Sequence, residues 1–428
     1  MDRLPVTALH VLAVALCTFG FMFDLIEIGL GNVLVAVFST PEKALAPGQL
    51  SMLLSSVYVG AIVGAPVLGA LADRIGRRVT LAGALLLLSA ASLWAALGDG
   101  IVSLTAARAV SGLALGAFPP LMFSYLTDLL PPRRRGLLIL VVTGIASLGL
   151  PASLFLVRAL TPLDLPLEPW RIAFIVGTAG SALAAALFVL LPESPRWLAA
   201  RGRADDAERA CARFEASRPV WQETAGGSVA AASAAAAQDL PRPPNWFQVG
   251  GLFLLSAWAT VAFPLMTGAV LTAKGFDLKD TLLYVGLSTL GPTVGTFLAS
   301  FWIDRIERRR ALALCALVLL LSGGLFVATG SAAWLIASSF AFALFSVIYT
   351  AALNIYAAEL FPTGRRARSV ATAWAFNRVG AAVAPLALLP LLRAEGPLAM
   401  YGLVVACLLA SMALLAFSPP GQERRSVA

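Results

Sequence analysis

Charge is scarce in this chain. Asp, Glu, Lys and Arg make up 13% of its 428 residues, against about 25% in soluble domains. With 59% hydrophobic residues and a mean hydropathy of +0.86, it cannot clothe itself in a polar surface, so a soluble fold is excluded. Histidine occurs once, as His10. The four cysteines, Cys17, Cys211, Cys315 and Cys407, have neither CxxC nor metal-ligand spacing, so neither a metal site nor a redox pair is expected. There is no nucleophile–histidine pair and no phosphate-binding glycine loop, which argues against an enzyme, against an ATP-driven pump and against any cofactor. No small-residue cleavage site follows the opening MDRLPVTALHVLAVAL, so the first apolar stretch reads as a retained helix.

What the chain has in abundance is apolar runs of membrane-spanning length. Twelve lie near 8–37, 50–72, 79–98, 102–128, 136–160, 171–191, 247–273, 281–303, 310–329, 333–359, 366–392 and 398–417. The longest polar segment, 192–246, divides them six and six. The expected organisation is a bundle over 1–191, a linker over 192–246 and a second bundle over 247–428. The linker opens with Pro192-Glu193-Ser194-Pro195-Arg196-Trp197, continues as an amphipathic helix to about Phe214 and ends in an alanine- and glycine-rich stretch over 226–237 that reads as flexible. The net charge of +8 is no nucleic-acid footprint, because the arginines cluster in short loops between apolar runs. Loops 73–78, 133–135, 304–310 and 365–368 are arginine-rich, with only Asp73, Asp304 and Glu307 as acids, whereas the opposite loops are mixed to acidic. That asymmetry places the arginine loops, the linker and both termini on the cytoplasmic side of a cell (inner) membrane.

Two loop signatures occur twice. Asp73-Arg74-Ile75 with Arg77-Arg78 returns as Asp304-Arg305-Ile306 with Arg308-Arg309, and Tyr125-x-x-Asp128-Leu129-Leu130-Pro131-x-x-Arg134-Arg135 returns as Tyr356-x-x-Glu359-Leu360-Phe361-Pro362-x-x-Arg365-Arg366. The residue numbers give one shared offset, so the second half repeats the first without slippage. A period this long is a duplicated bundle, not a solenoid.

These residues carry a family resemblance. Gly69-x-Leu71-x-Asp73-Arg74-x-Gly76-Arg77-Arg78 resembles the loop signature between helices 2 and 3 of the major facilitator superfamily, and Arg108-x-x-x-Gly112-x-x-x-Gly116 its helix-4 motif. Pro192-Glu193-Ser194-Pro195-Arg196 is similar to the motif after helix 6 in sugar, organic-ion and niacin porters. The resemblance implies an all-α membrane protein of 12 transmembrane helices, in two six-helix bundles about a central cavity with alternating access. Ser300 and Glu307 replace two glycines in the second copy of the loop signature. The loop charges read as a gate: Asp73, Arg77, Asp128, Arg134, Asp304, Glu359 and Arg365, with Glu193 and Arg196, can form inter-helix bonds that opening must break.

Four charges lie clearly inside apolar runs: Asp24, Glu27, Arg108 and Arg378. A charge at that depth costs about 2.5–3.5 kcal/mol on insertion scales, so each needs a function or a partner. Asp24 and Glu27 share one helix face and disfavour double ionisation, which suits reversible protonation. Phe23-Asp24-Leu25-Ile26-Glu27-Ile28-Gly29 is similar to the first helix of niacin porters and synaptic-vesicle-type transporters. In sugar-porter-like relatives the matching aspartate pairs with the arginine matching Arg108, which implies a proton-coupling Asp24–Arg108 pair. Glu27 is either a second proton site or a cavity-wall residue.

Arg378, in Asn377-Arg378-Val379-Gly380-x-x-x-x-Pro385, resembles the helix-11 pattern of organic-anion, niacin and aromatic-acid porters. A guanidinium can hold a carboxylate bidentately; the competing reading is an ion pair with Asp24 or Glu27 across the cavity. Trp374, Asn354, Tyr349, Trp258 and Phe23, with Asn377, complete an expected site for a flat aromatic carboxylate. A sugar is disfavoured, because the runs contain almost no glutamine and only Asn32, Asn354 and Asn377 to meet its hydroxyls. The reading is a monomeric proton-coupled symporter of a small organic anion. The alternatives are a proton-coupled drug or cation efflux antiporter, which Arg378 disfavours, and a sugar-porter-like carrier.

Overall fold

The computed structural model describes residues 4–221, 246–302, 306–360 and 366–417. Twelve helical segments in it are long and apolar enough to cross a membrane. Helices are the expected answer for such runs, because backbone groups in hydrocarbon must be satisfied within their own segment. The first four are α1 (Ala8–Ser39), α2 (Pro47–Ile75), α3 (Arg77–Leu97) and α4 (Gly100–Leu129). The fifth crossing is α5 (Pro132–Ala146) followed by α6 (Gly149–Leu160), and the sixth is α7 (Pro169–Leu187). After the linker helices α8 (Pro195–Ala200) and α9 (Ala204–Glu215) come α10 (Trp246–Ala257) and α11 (Phe263–Ala273), which share one crossing through a π-helical turn at Trp258–Ala262. The rest are α12 (Leu278–Ser288) with α13 (Gly291–Trp302), α14 (Arg308–Ala328), α15 (Ala332–Leu360), α16 (Arg366–Glu395) and α17 (Pro397–Ala416).

The breaks follow from side chains. Pro47, Pro132, Pro169, Pro195 and Pro397 sit in first turns, where the missing N–H has no helical partner to lose. Pro264 lies two residues beyond the end of the π turn, and its absent N–H lets the helix widen there. Gly76 ends α2 with φ of 110°, a conformation that L side chains rarely adopt.

The helices form the two six-helix bundles of a multi-pass membrane protein. Between a third and three fifths of each crossing is buried, and large apolar side chains such as Val67, Leu86 and Leu321 face outward. The first bundle's interior is built on Phe118, Tyr125 and Phe188. In the second, Phe263 meets Phe342 at 4.6 Å and Tyr401 at 5.2 Å. The tightest packing is α2 against α4. A Cβ on Gly60 or Gly64 would strike the backbone at Ala109 or Leu113, and one on Gly112 or Gly116 would strike Val57 or Ala61. This is small-residue packing of the membrane type, and it gives the helix-4 motif a steric meaning.

Among the described residues, four bonds between the bundles lie at mid-depth or towards the face opposite the arginine loops. Ser147 Oγ and Thr293 Oγ1 are 2.7 Å apart, joining the fifth and eighth crossings. Ser51 Oγ donates to the Pro385 carbonyl at 2.9 Å, joining α2 to α16. Further out, Arg158 Nε donates to Lys279 O (3.2 Å) and Arg393 Nη1 to Leu45 O (2.7 Å).

The linker departs from the single helix read from sequence. Gly202, at φ of 73°, separates α8 from α9. The chain then forms β2 (Pro219–Trp221), which pairs antiparallel with β1 (Val6–Thr7), the one small sheet among the described residues. His10 stacks on Phe214 of α9 at 4.5 Å, with its Nε2 3.2 Å from the Leu129 carbonyl. The alanine- and glycine-rich stretch over 226–237 lies outside the described residues.

The contact at mid-depth is testable. In a background without native cysteines, Ser147→Cys with Thr293→Cys should crosslink on mild oxidation and arrest transport until reduced. Failure of the pair to crosslink in membranes would contradict the packing of the fifth crossing on the eighth.

Candidate functional site

The arginine-loop face carries one charge network. The Arg77 guanidinium pairs with the Asp128 carboxylate and donates to Ser124 O at 3.1 Å. Ser194 Oγ donates to the same carboxylate at 2.5 Å. Glu193 accepts the backbone N–H groups of Arg77 and Arg78 at 2.9 and 3.0 Å, the donors left over at the start of α3. Tyr125 OH donates to Pro192 O. The start of the linker is thus part of the network, along with the loops.

Other expected gate residues are placed differently. The Asp73 carboxylate is exposed and unpaired among the described residues. Asp73 contributes its carbonyl instead, which accepts from Trp197 Nε1 at 3.0 Å and from the Arg201 guanidinium. The reason is its place in the last turn of α2, where carbonyls lack helical donors. The Arg134 guanidinium lies 4.2 Å over the Trp221 ring, and Arg196 is exposed. Asp304, Arg365 and the side chain of Glu359 lie outside the described residues.

The central site corrects the expected pairing. Arg108 pairs with Glu27 and not with Asp24: its Nη1 is 2.5 Å from Glu27 Oε1 and 3.1 Å from the Glu27 carbonyl. Ser92 Oγ donates to Glu27 Oε2 at 2.7 Å, and both charged side chains are buried. Depth explains the choice. Arg108 sits in the third turn of α4 from the face opposite the arginine loops, and Glu27 is one turn nearer that face than Asp24. Asp24 is fully buried, and among the described residues neither carboxylate oxygen has a hydrogen-bond partner.

Arg378 reaches the central cavity from the second bundle, in α16. The cavity measures about 30 Å³, room for one or two waters. Its polar lining consists of Arg378, Arg108 and Tyr58; its walls are aliphatic, among them Leu54, Val57, Leu115 and Leu265. The Arg378 guanidinium stacks 5.3 Å over the Trp374 ring. Among the described residues it makes no ion pair or hydrogen bond, and it acts electrostatically on both Tyr58 and Asp24. A larger cavity of about 490 Å³ opens at the opposite face. There the lining cation Lys43 is taken by Glu168 at 2.7 Å. Burial alone would raise the Glu168 carboxyl, but bonds from Lys43 and Trp170 bring it below the usual carboxylate range. That cavity offers no free cation among the described residues.

Several expected substrate contacts point elsewhere in this conformation. Tyr349 OH lies 3.2 Å from Ser411 Oγ, inside the second bundle. Phe23 packs on Gly180, inside the first. Asn354 Nδ2 bonds its own helix at Thr350 O, and Asn377 Nδ2 donates to Phe253 O at 3.2 Å. Trp258 is half-buried at the start of the π turn. Sequence reasoning missed Tyr58 and Ser92, because neither has a charged residue within a helical turn of it.

A family model described as "Sugar (and other) transporter" matches residues 10–420. The chain belongs to this family, within the major facilitator superfamily. It is a membrane transporter of small molecules, not an enzyme. The niacin transporter NiaP of Acinetobacter baylyi is 26% identical over 404 residues, covering 90% of this chain and 88% of that protein. The gallate transporter of Pseudomonas putida is 27% identical over 402 residues, covering 89% and 85%. The solved partially occluded, inward-open xylose transporter XylE of E. coli matches with a TM-score of 0.74 at 17% identity, over 98% of this chain and 100% of that one. That likeness concerns the fold.

The two buried carboxylates should respond oppositely to neutralisation. Glu27→Gln leaves Arg108 without its counter-charge, a loss of about 3–5 kcal/mol for a broken buried pair. Asp24→Asn removes a charge that has no hydrogen bonds to lose. Thermal unfolding in detergent should therefore fall sharply for Glu27→Gln and stay level or rise for Asp24→Asn; a larger fall for Asp24→Asn would refute the assignment.

Proposed function

We propose that this transporter is a proton-coupled symporter of a small organic anion, an aromatic or heteroaromatic carboxylate. It would work as a monomer by alternating access in a cell (inner) membrane, with the arginine loops and both termini cytoplasmic. Residues 1–191 and 247–428 would be the two moving bodies, joined through 192–246. The observation that supports this reading is a pairing of needs: among the described residues Arg378 lacks an ion pair and Asp24 lacks a hydrogen bond, yet the Arg378 guanidinium lies within electrostatic reach of the Asp24 carboxylate.

Charge balance then couples proton to substrate. With Asp24 ionised and Arg378 charged, the empty site is neutral. With Asp24 protonated and a carboxylate on Arg378, the loaded site is neutral again. Either ligand alone leaves one net charge deep in the bilayer, at a cost of about 2.5–3.5 kcal/mol. The two neutral states are therefore the ones that can reorient, and transport moves one proton with one monocarboxylate. Glu27 and Arg108 neutralise each other throughout and hold α1 against α4.

The ring of an aromatic acid suits Trp374 and the aliphatic walls. Among the described residues lining the cavity, a sugar would find hydrogen-bonding side chains only in Tyr58, Arg108 and Arg378, with Arg108 already engaged by Glu27. The niacin and gallate transporters among the relatives carry aromatic carboxylates in their names, which supports the same substrate class. A ring cannot fit about 30 Å³, so the walls must part to admit it.

Three outcomes are expected in proteoliposomes. Uptake of the carboxylate should follow the pH gradient and be indifferent to membrane potential. Asp24→Asn should abolish concentrative uptake, keep counterflow exchange and bind the anion with an affinity that no longer varies with pH. Arg378→Lys should weaken binding at least tenfold, about 1.4 kcal/mol, and Arg378→Ala should abolish it while the protein still folds. Normal transport by Arg378→Ala, or ligands that are only neutral or cationic, would remove the organic-anion reading in favour of efflux.

A further inference from the structure

We infer that the Tyr58 hydroxyl is the second anchor of the substrate carboxylate, donating to it from the first bundle while Arg378 holds it from the second. The inference rests on the carboxylate reading above and assigns the residue that completes the anion site. Tyr58 lies on α2, whose close approach to α4 at Gly60 and Gly64 sets its position beside Arg108. It lines the same cavity of about 30 Å³ as Arg378, so both groups reach any small anion placed there. Its hydroxyl makes no hydrogen bond among the described residues, in a cavity whose remaining polar lining group, Arg108, is engaged by Glu27. The hydroxyl also lies in the fields of both Arg378 and Arg108. Its lone pairs therefore favour the cations and leave its proton for an incoming acceptor.

A carboxylate answers both demands. It accepts from the guanidinium fork and from the phenol at once, with charge-assisted bonds. A carboxamide has one acceptor oxygen, and its NH₂ group would face a donor. Tyr58 thus becomes a determinant of acid-over-amide selectivity. Because it belongs to α2 and Arg378 to α16, the bound anion also ties together the helix pair already joined by Ser51 and Pro385 further out. Substrate would draw the bundles towards each other at mid-depth.

The test uses full-length wild type, Tyr58→Phe and Arg378→Ala in detergent, titrated calorimetrically with nicotinate and benzoate and with their carboxamides. Tyr58→Phe keeps the ring and should keep the wild-type melting temperature. It should bind the acids at least tenfold more weakly and the amides with unchanged affinity, so the acid-to-amide ratio falls by the same factor. If Tyr58→Phe binds the acids like wild type while Arg378→Ala does not, the Tyr58 inference is overturned and the carboxylate reading stands. Equal weakening towards acids and amides would make Tyr58 a packing residue and also overturn it. A wild type that binds neither acid overturns the carboxylate reading and this inference with it.

Discussion

Charge in a medium that cannot solvate it is the constraint on which the rest of this structure depends. With so few ionisable groups inside the crossings, each has a definite arrangement. Arg108 is compensated by Glu27 at 2.5 Å, and Glu27 is further tied to Ser92. The pair fastens α1, α3 and α4 together, and on the proposed reading it takes no part in the transport cycle. Asp24 and Arg378 are left as the two groups without such a settled partner. On the proposed reading, that incompleteness is the function: a site with a closed set of bonds could bind nothing.

The second determinant is how closely helices can approach. Glycines on α2 and α4 bring the two backbones together, in a setting where no hydrophobic force distinguishes helix from lipid and packing must supply the attraction. That contact sets the position of Tyr58 beside Arg108 and helps shape the first bundle as a unit. Between the bundles the joints are of another kind. Single hydroxyls and arginines meet backbone carbonyls at Ser51, Arg158 and Arg393. Such bonds are individually modest, as suits an interface that, on the proposed reading, parts in each cycle. The fifth and eighth crossings, broken at Ser147–Leu148 and Thr289–Leu290, meet at mid-depth through Ser147 and Thr293.

At the arginine-loop face the linker is more than a tether. Glu193 and Ser194 enter the network of Arg77 and Asp128, and β2 pairs with β1 at the start of the chain. The described part of the linker therefore belongs mechanically to the first bundle. In three dimensions the motif read from sequence as a loop gate also joins the loop to the linker.

How much was legible beforehand differs by level. Apolar run lengths dictate the twelve crossings, because a helix is the only open-ended way to satisfy backbone groups in lipid. The repeated Asp73 and Asp128 signatures dictate the duplication, and chemistry alone singles out Asp24, Glu27, Arg108 and Arg378, because charge at that depth demands a reason. Partnership was beyond reach. Asp24 and Glu27 lie one turn apart on one helix, and only the relative depth of α1 and α4 decides that Arg108 meets Glu27. Rotation about the helix axis likewise turned Tyr349 and Phe23 into their own bundles, while Tyr58, with no charge near it in sequence, came to line the cavity. The one-dimensional pattern determines which groups enter the membrane, since transfer cost belongs to each residue separately; the tertiary packing determines which of them meet, since depth and azimuth are set by every helix against its neighbours.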